Sequence, residues 1–185
     1  YTDDINFKDQ VYMHILRSPY AYAKIKKIDF SSATKKKGII AILCNEVITK
    51  LKINPMFPGF NVKNKDGKDM TVTSRNILAV NKVRYGGEPI LAIIADSLEN
   101  AEEAADIIDI EYEDLESTTN IQDAIKKDAP VVRDELSDNL CFDWELGELD
   151  KTTEALNGSA HKVEIELINN RLVPNPMECR NTIGQ

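Results

Sequence analysis

The stretch "PILAIIADSLENAEEAADIIDIEYED", Pro89 to Asp114, decides the fold. Ile90 to Ala95 is a continuous apolar run of strand length and reads as a buried strand. Asp96, followed three residues later by Glu99, has the spacing of a capping box and predicts a helix start. Leu98, Ala101, Ala105 and Ile108 fall on one helical face, and Glu99, Glu102, Glu103 and Asp106 on the other. Near Ile108 the period shortens to that of a strand, with Ile108, Ile110 and Tyr112 alternating with Asp109, Glu111 and Glu113. The unit is strand, helix, strand, and such a crossover predicts parallel pairing of its two strands.

Working outward, "VYMHIL" (Val11 to Leu16) and "IIAILC" (Ile39 to Cys44) also read as strands. Between them "SPYAYAKIKKIDF" breaks at Pro19 and resumes as a strand whose alternation slips between Ile25 and Ile28, the mark of a bulge. Asp29, Ser31 and Ser32 offer N-caps for a short turn ended by Gly38, and Asn45 can cap one turn over Glu46 to Lys50. Residues 54–70 are rich in Pro, Gly, Asn and Lys, a long exposed loop with "KDGK" as its turn. Short strands are expected at Ile77 to Val80 and Lys82 to Tyr85. Past Leu115 the signals thin: a short helix from Ile121 to Lys126 capped by Asn120, an extended connection, and a short helix from Thr152 to Leu156. At the end, Val163, Ile165 and Leu167 alternate with Glu164 and Glu166 as a half-buried strand, and another apolar run starts after Pro176. Those strands need a sheet supplied from elsewhere, so the chain is expected to be one piece of a larger assembly.

An apolar content of 42% is enough for a real core, and 29% charged residues describe an acidic, soluble surface. A net charge of −8 opposes nucleic-acid binding, which needs a basic face. Lys24, Lys26, Lys27 and Lys35 to Lys37 cluster, but a run of like charges is ordinarily a solvated face. No stretch approaches the ~20 apolar residues of a membrane span. Tyr1 is not an initiator residue, which leaves room for a removed leader. Cys44, Cys141 and Cys179 are dispersed and odd in number, which fits neither a disulfide framework nor a zinc spacing and places the chain in a reducing cytoplasm.

Catalytic signals are sparse. His14 and His161 lack a second ligand at metal spacing and an identifiable nucleophile. The acidic helix face lacks the loop oxygens that calcium requires. "YGGEP" (Tyr85 to Pro89) precedes a strand, whereas a phosphate-binding loop follows one, so Gly86 and Gly87 point to a tight turn or a close backbone approach. Arg17, Ser18 and Tyr20 lie at a chain break, where functional loop residues concentrate. Physical reading of the residues alone ends at an α+β domain without visible catalytic apparatus.

Seven stretches in order carry a family resemblance: "YTDDI", "HILRSPYAYAKIKKIDFSSA", "GIIAIL", "VRYGGEPILAIIAD", "AADIIDIEYEDL", "DAPVVRDELSDNLCFDWELGELD" and "NNRLVPNPMECRNTIG". Together they resemble the N-terminal part of the large subunit of molybdenum hydroxylases, the xanthine dehydrogenase and aldehyde oxidase superfamily, in its aerobic carbon monoxide dehydrogenase form. The resemblance implies an α/β hammerhead domain over residues 1–115, a linker over 116–138, and the start of a molybdopterin-binding domain over 139–185. It implies molybdenum held by molybdopterin cytosine dinucleotide in the complete enzyme, with 2Fe-2S and FAD on partner subunits. The family's catalytic motifs are not found in this sequence, so no residue here is assigned a catalytic, cofactor-binding or metal role. Asn175, Glu178 and Arg180 come nearest, either as wall residues of the active-site domain or in a purely structural role. A non-catalytic interaction module built on the same fold is the alternative.

Overall fold

A computed structural model describes residues 1–170 and 172–184. The chain divides into two compact units, Asp9–Trp144 and Tyr1–Lys8 with Glu145–Gln185, each described by itself.

In the first unit, strands β1 (Tyr12–Arg17), β3 (Ile39–Leu43) and β5 (Pro89–Ala95) form one sheet in the order β1-β5-β3. Strands β2 (Ala23–Asp29), β4 (Lys82–Val83) and β6 (Asp109–Asp114) form a second, in the order β4-β2-β6. Every pairing is antiparallel. The parallel crossover expected of the Pro89 to Asp114 unit therefore does not form. The reason lies in hydrogen-bonding capacity: β1 and β3 fill both edges of β5, so β6 adds instead to the open edge of β2. The α+β class holds, with two small antiparallel sheets.

Helix α3 (Leu98–Asp106) links the two sheets and lays Ala101, Ala104 and Ala105 against Ile93 and Ala95. Alanines let the helix approach the sheet closely. Ala23, Ala79, Val83, Ile90 and Leu91 make a second cluster. Leu16, Phe30, Ile42 and Ile108 touch both clusters, so one continuous core joins the sheets. The cap of α3 is Ser97, which accepts from the Asn100 N–H, one position later than the predicted Asp96. Asp96 instead accepts from the Asn100 amide at 2.6 Å.

The bulge expected in β2 is present: the register against β6 shifts between Ile25 and Lys27. Helix α1 (Ser31–Thr34) starts beside Asp29, whose carboxylate accepts from the Ser31 N–H and hydroxyl. Helix α2 (Asn45–Lys50) begins at Asn45 itself, with Cys44 in the capping position. Of the two strands expected between Ile77 and Tyr85, only Lys82–Val83 forms, because Asn81 takes a left-handed φ of 58° and ends the extended run. Helix α4 (Ile121–Ala124) is capped by Asn120, which accepts from the Gln122 N–H.

The second unit holds a short 3-10 turn at Thr2–Asp4 and helix α5 (Leu149–Gly158), longer at both ends than the predicted Thr152 to Leu156. The terminal strands do not form among the described residues. Val163, Ile165 and Leu167 are 95%, 72% and 77% exposed, because no strand lies beside them to complete a ladder. Among the described residues no helix is long and apolar enough to cross a membrane.

Candidate functional site

Two loops that the sequence singles out separately meet at one end of the β1–β5 pair. Pro89 has no N–H to offer the ladder, and the β1–β5 register shifts where Arg17 faces it. The bonding passes to the neighbours: the Ser18 N–H donates to Glu88 O at 2.9 Å and the Gly87 N–H to Ser18 O at 2.8 Å. The Arg17 guanidinium donates to Gly87 O at 3.0 Å. Gly87 has φ +86°, and a side chain there would meet open space. Its glycine thus serves the backbone angle of the turn and not a close approach.

Both loops are braced from within. The Ser18 hydroxyl accepts from the Tyr20 N–H at 3.0 Å, spanning Pro19 in a local turn. The buried Glu88 carboxylate accepts from the Arg84 N–H and closes the 84–88 turn on itself. Arg84 Nε is buried with no hydrogen-bond partner among the described residues. The Tyr20 ring lies 4.6 Å from that of Tyr112, whose hydroxyl is made harder to ionise, chiefly by burial. The junction leaves Arg17, Tyr85 and Gly86 exposed.

The remaining sequence candidates do not gather there. His14 on β1 stands 3.9 Å from Glu102 on α3, and His161 is exposed. Cys44, Cys141 and Cys179 are free thiols. Glu178 accepts from the N–H and hydroxyl of Thr2. Part of the lysine cluster is an ion-pair seam: Lys24 and Lys26 both reach Glu113 across β2 and β6, and Lys36 pairs with Glu103. Open clefts among the described residues include one of about 310 Å³ beside Asn64 and Cys141 and one of about 500 Å³ beside Lys26 and Phe30. Among the described residues no group of three or more His, Cys, Asp or Glu side chains converges to hold a metal ion. The junction holds loops in place and presents a surface.

The Glu113 seam carries a pH prediction. Hydrogen bonds from Lys24 and then Lys26 hold this carboxyl down from its ordinary 4.5 to about 2. The folded value is the lower one, so its stabilisation is complete above pH 4.5, declines below it, and is gone once pH falls through about 2. Because the group is exposed, salt should move its titration back toward 4.5. Carboxyl NMR titration checks this; a midpoint at the ordinary value in low salt would contradict the seam.

A family model described as aldehyde oxidase and xanthine dehydrogenase, a/b hammerhead domain, matches residues 1–116, which include both loops of the junction. The chain belongs to this family. It is 28% identical over 192 residues to the carbon monoxide dehydrogenase large chain of Hydrogenophaga pseudoflava, covering 96% of this chain and 22% of that one. It is 30% identical over 186 residues to the nicotine 6-hydroxylase large subunit of Paenarthrobacter nicotinovorans, covering 100% and 22%. Among solved structures, quinoline 2-oxidoreductase from Pseudomonas putida 86 superposes with a TM-score of 0.64 at 28% identity, over 76% of this chain and 17% of that one. The chain spans about a fifth of the length of these relatives. The α/β hammerhead expected from the sequence is thus the family's own description of this region.

Proposed function

We propose that this chain is the N-terminal segment of the large, molybdopterin-binding subunit of a molybdenum hydroxylase of the carbon monoxide dehydrogenase or aldehyde oxidase type. The observation that carries the reading is the match of the whole chain, in order, to about a fifth of the length of large subunits of this family. The segment is a scaffold and inactive alone. The hammerhead covers residues 1–115, a linker 116–138, and residues 139–185 open the cofactor domain. The complete enzyme is cytoplasmic and holds molybdenum on molybdopterin cytosine dinucleotide, with 2Fe-2S and FAD on partner subunits. The molybdenum centre supplies the oxidation chemistry, and residues outside this chain supply the acid–base groups.

The loops at 54–70 and 85–89 pack on the cofactor domain or on the iron–sulfur subunit. Met56, Phe57 and Phe60 are each more than half exposed, and burial against a partner would remove that apolar surface from water. The exposed row of Val163, Ile165 and Leu167 argues against a free-standing interaction module, because an uncovered apolar segment invites aggregation.

The test is to purify the native protein from its source by an affinity tag and measure chain masses and metals. The expected result is molybdenum and iron in a complex with a chain several times longer than this one, or with a separate chain completing the large subunit. A lone, metal-free protein of this length overturns the proposal.

A further inference from the structure

The sequence "DAPVVRDELSDN" reads as an extended connection, yet from Val131 on to Asp143 the chain is bonded at its start, middle and end. At its start, the Tyr22 hydroxyl donates to Val131 O at 3.4 Å, and Lys82 Nζ lies 2.5 Å from Asp134. In the middle, Asn139 spends its entire amide: Oδ1 accepts from the Val132 N–H, and Nδ2 donates to Ala124 O and Pro130 O, all at 3.0 Å. At the far end, the Lys65 N–H donates to Asp143 O and the Thr71 N–H to Cys141 O, both at 2.8 Å, while the Asp143 N–H donates to the Asn64 side chain at 2.7 Å. The Lys65 ammonium sits 2.5 Å from the Asp143 carboxylate.

The hairpin on the other side of that seam is closed by bonds of its own. The Asn64 N–H donates to Lys68 O, the Gly67 N–H to Asn64 O and the Met70 N–H to Val62 O. Its shape is thus internal, and the stretch it leans against bonds it at Asn64, Lys65 and Thr71.

We propose that residues 131–143 are a strap, locked by Asn139 and the Lys82–Asp134 pair, that sets the position of the 62–71 hairpin. The strap ends one residue before Trp144, the last residue of its compact unit. A displacement at that end is therefore transmitted to a hairpin far away in sequence, and docking of the hairpin on a partner is transmitted back. The inference does not rest on the enzyme assignment: it stands on the bonds of this unit, and failure of either leaves the other intact.

Residue-resolved hydrogen exchange on the protein as purified from its source, with whatever chains accompany it, tests it. In Asn139→Ala the Lys65 and Thr71 amides should exchange roughly tenfold faster, while the Asn64, Gly67 and Met70 amides keep their protection. Faster exchange confined to the strap overturns the proposal, because the hairpin would then hold its own position. Equal loss at all five amides also overturns it, because the hairpin itself would be melting. Should Asn139→Ala fail to fold, Asp134→Ala removes only the exposed carboxylate that Lys82 meets and is judged by the same amides.

Discussion

Replacing Ile93 with alanine is expected to destabilise the Asp9–Trp144 unit by about 2–5 kcal/mol, the range for large-to-small changes in a core. Ile93 is fully buried on the central strand of its sheet, with His14 of β1 opposite on one side and Ile42 of β3 on the other. The alanines of α3 cover it, and they are too short to fill the space its removal leaves. Neither neighbouring strand can collapse inward without breaking its ladder to β5. Ile40 provides the contrast: it is 58% exposed, and Ile40→Ala should change stability by no more than about 0.5 kcal/mol. Denaturant unfolding of the two variants side by side checks the pair. Equal losses would mean that β5 is not the centre of the core.

A second large effect is expected at Gly38, where valine should lower stability by about 1–3 kcal/mol through backbone strain alone. Gly38 has φ +86°, which β-branched residues scarcely adopt. Its carbonyl accepts from the Asp96 N–H at 2.9 Å, and an added Cβ would lie 2.5 Å from Asp96 Oδ1 and collide with the Asn100 amide. Making room separates the Asp96–Asn100 bond that steadies the start of α3. The loss should therefore appear twice, as a lower melting temperature and as faster amide exchange in the first turn of α3. A lower melting temperature with unchanged exchange there would place the cost in the backbone angle and remove the helix-start part of this account.

The elements of the fold were legible in the sequence where one residue pattern determines them. The slip between Ile25 and Ile28 marked a bulge that is present, and the alanine and isoleucine face of Leu98 to Ile108 marked a helix that forms. Pairing was not legible, because it depends on which edges are already occupied. Nothing within Pro89 to Asp114 says that Tyr12–Arg17 and Ile39–Leu43 will take both sides of β5. The terminal alternation failed for the related reason that a strand pattern states a capacity for pairing and not the presence of a partner. At the junction, Arg17, Ser18 and the paired glycines were each visible as loop residues. Their meeting was not, because apart from the Arg17 guanidinium it is made by backbone groups some seventy residues apart, which carry no side-chain signature.

The antiparallel pairing of β1 with β5 sets a timetable for synthesis. Met13 finds its partner in Ile94, about eighty residues later in the chain. At ~5–20 residues per second on the ribosome, β1 emerges and waits roughly 4–16 s before its partner exists. During that interval "YMHIL" is an apolar segment with a free edge on both sides, while β2 and β3 emerge equally without their main partners. The nascent chain is thus most exposed to proteases and chaperones before Pro89 to Ala95 leaves the ribosomal tunnel, and translation pauses ahead of that point would lengthen the exposure.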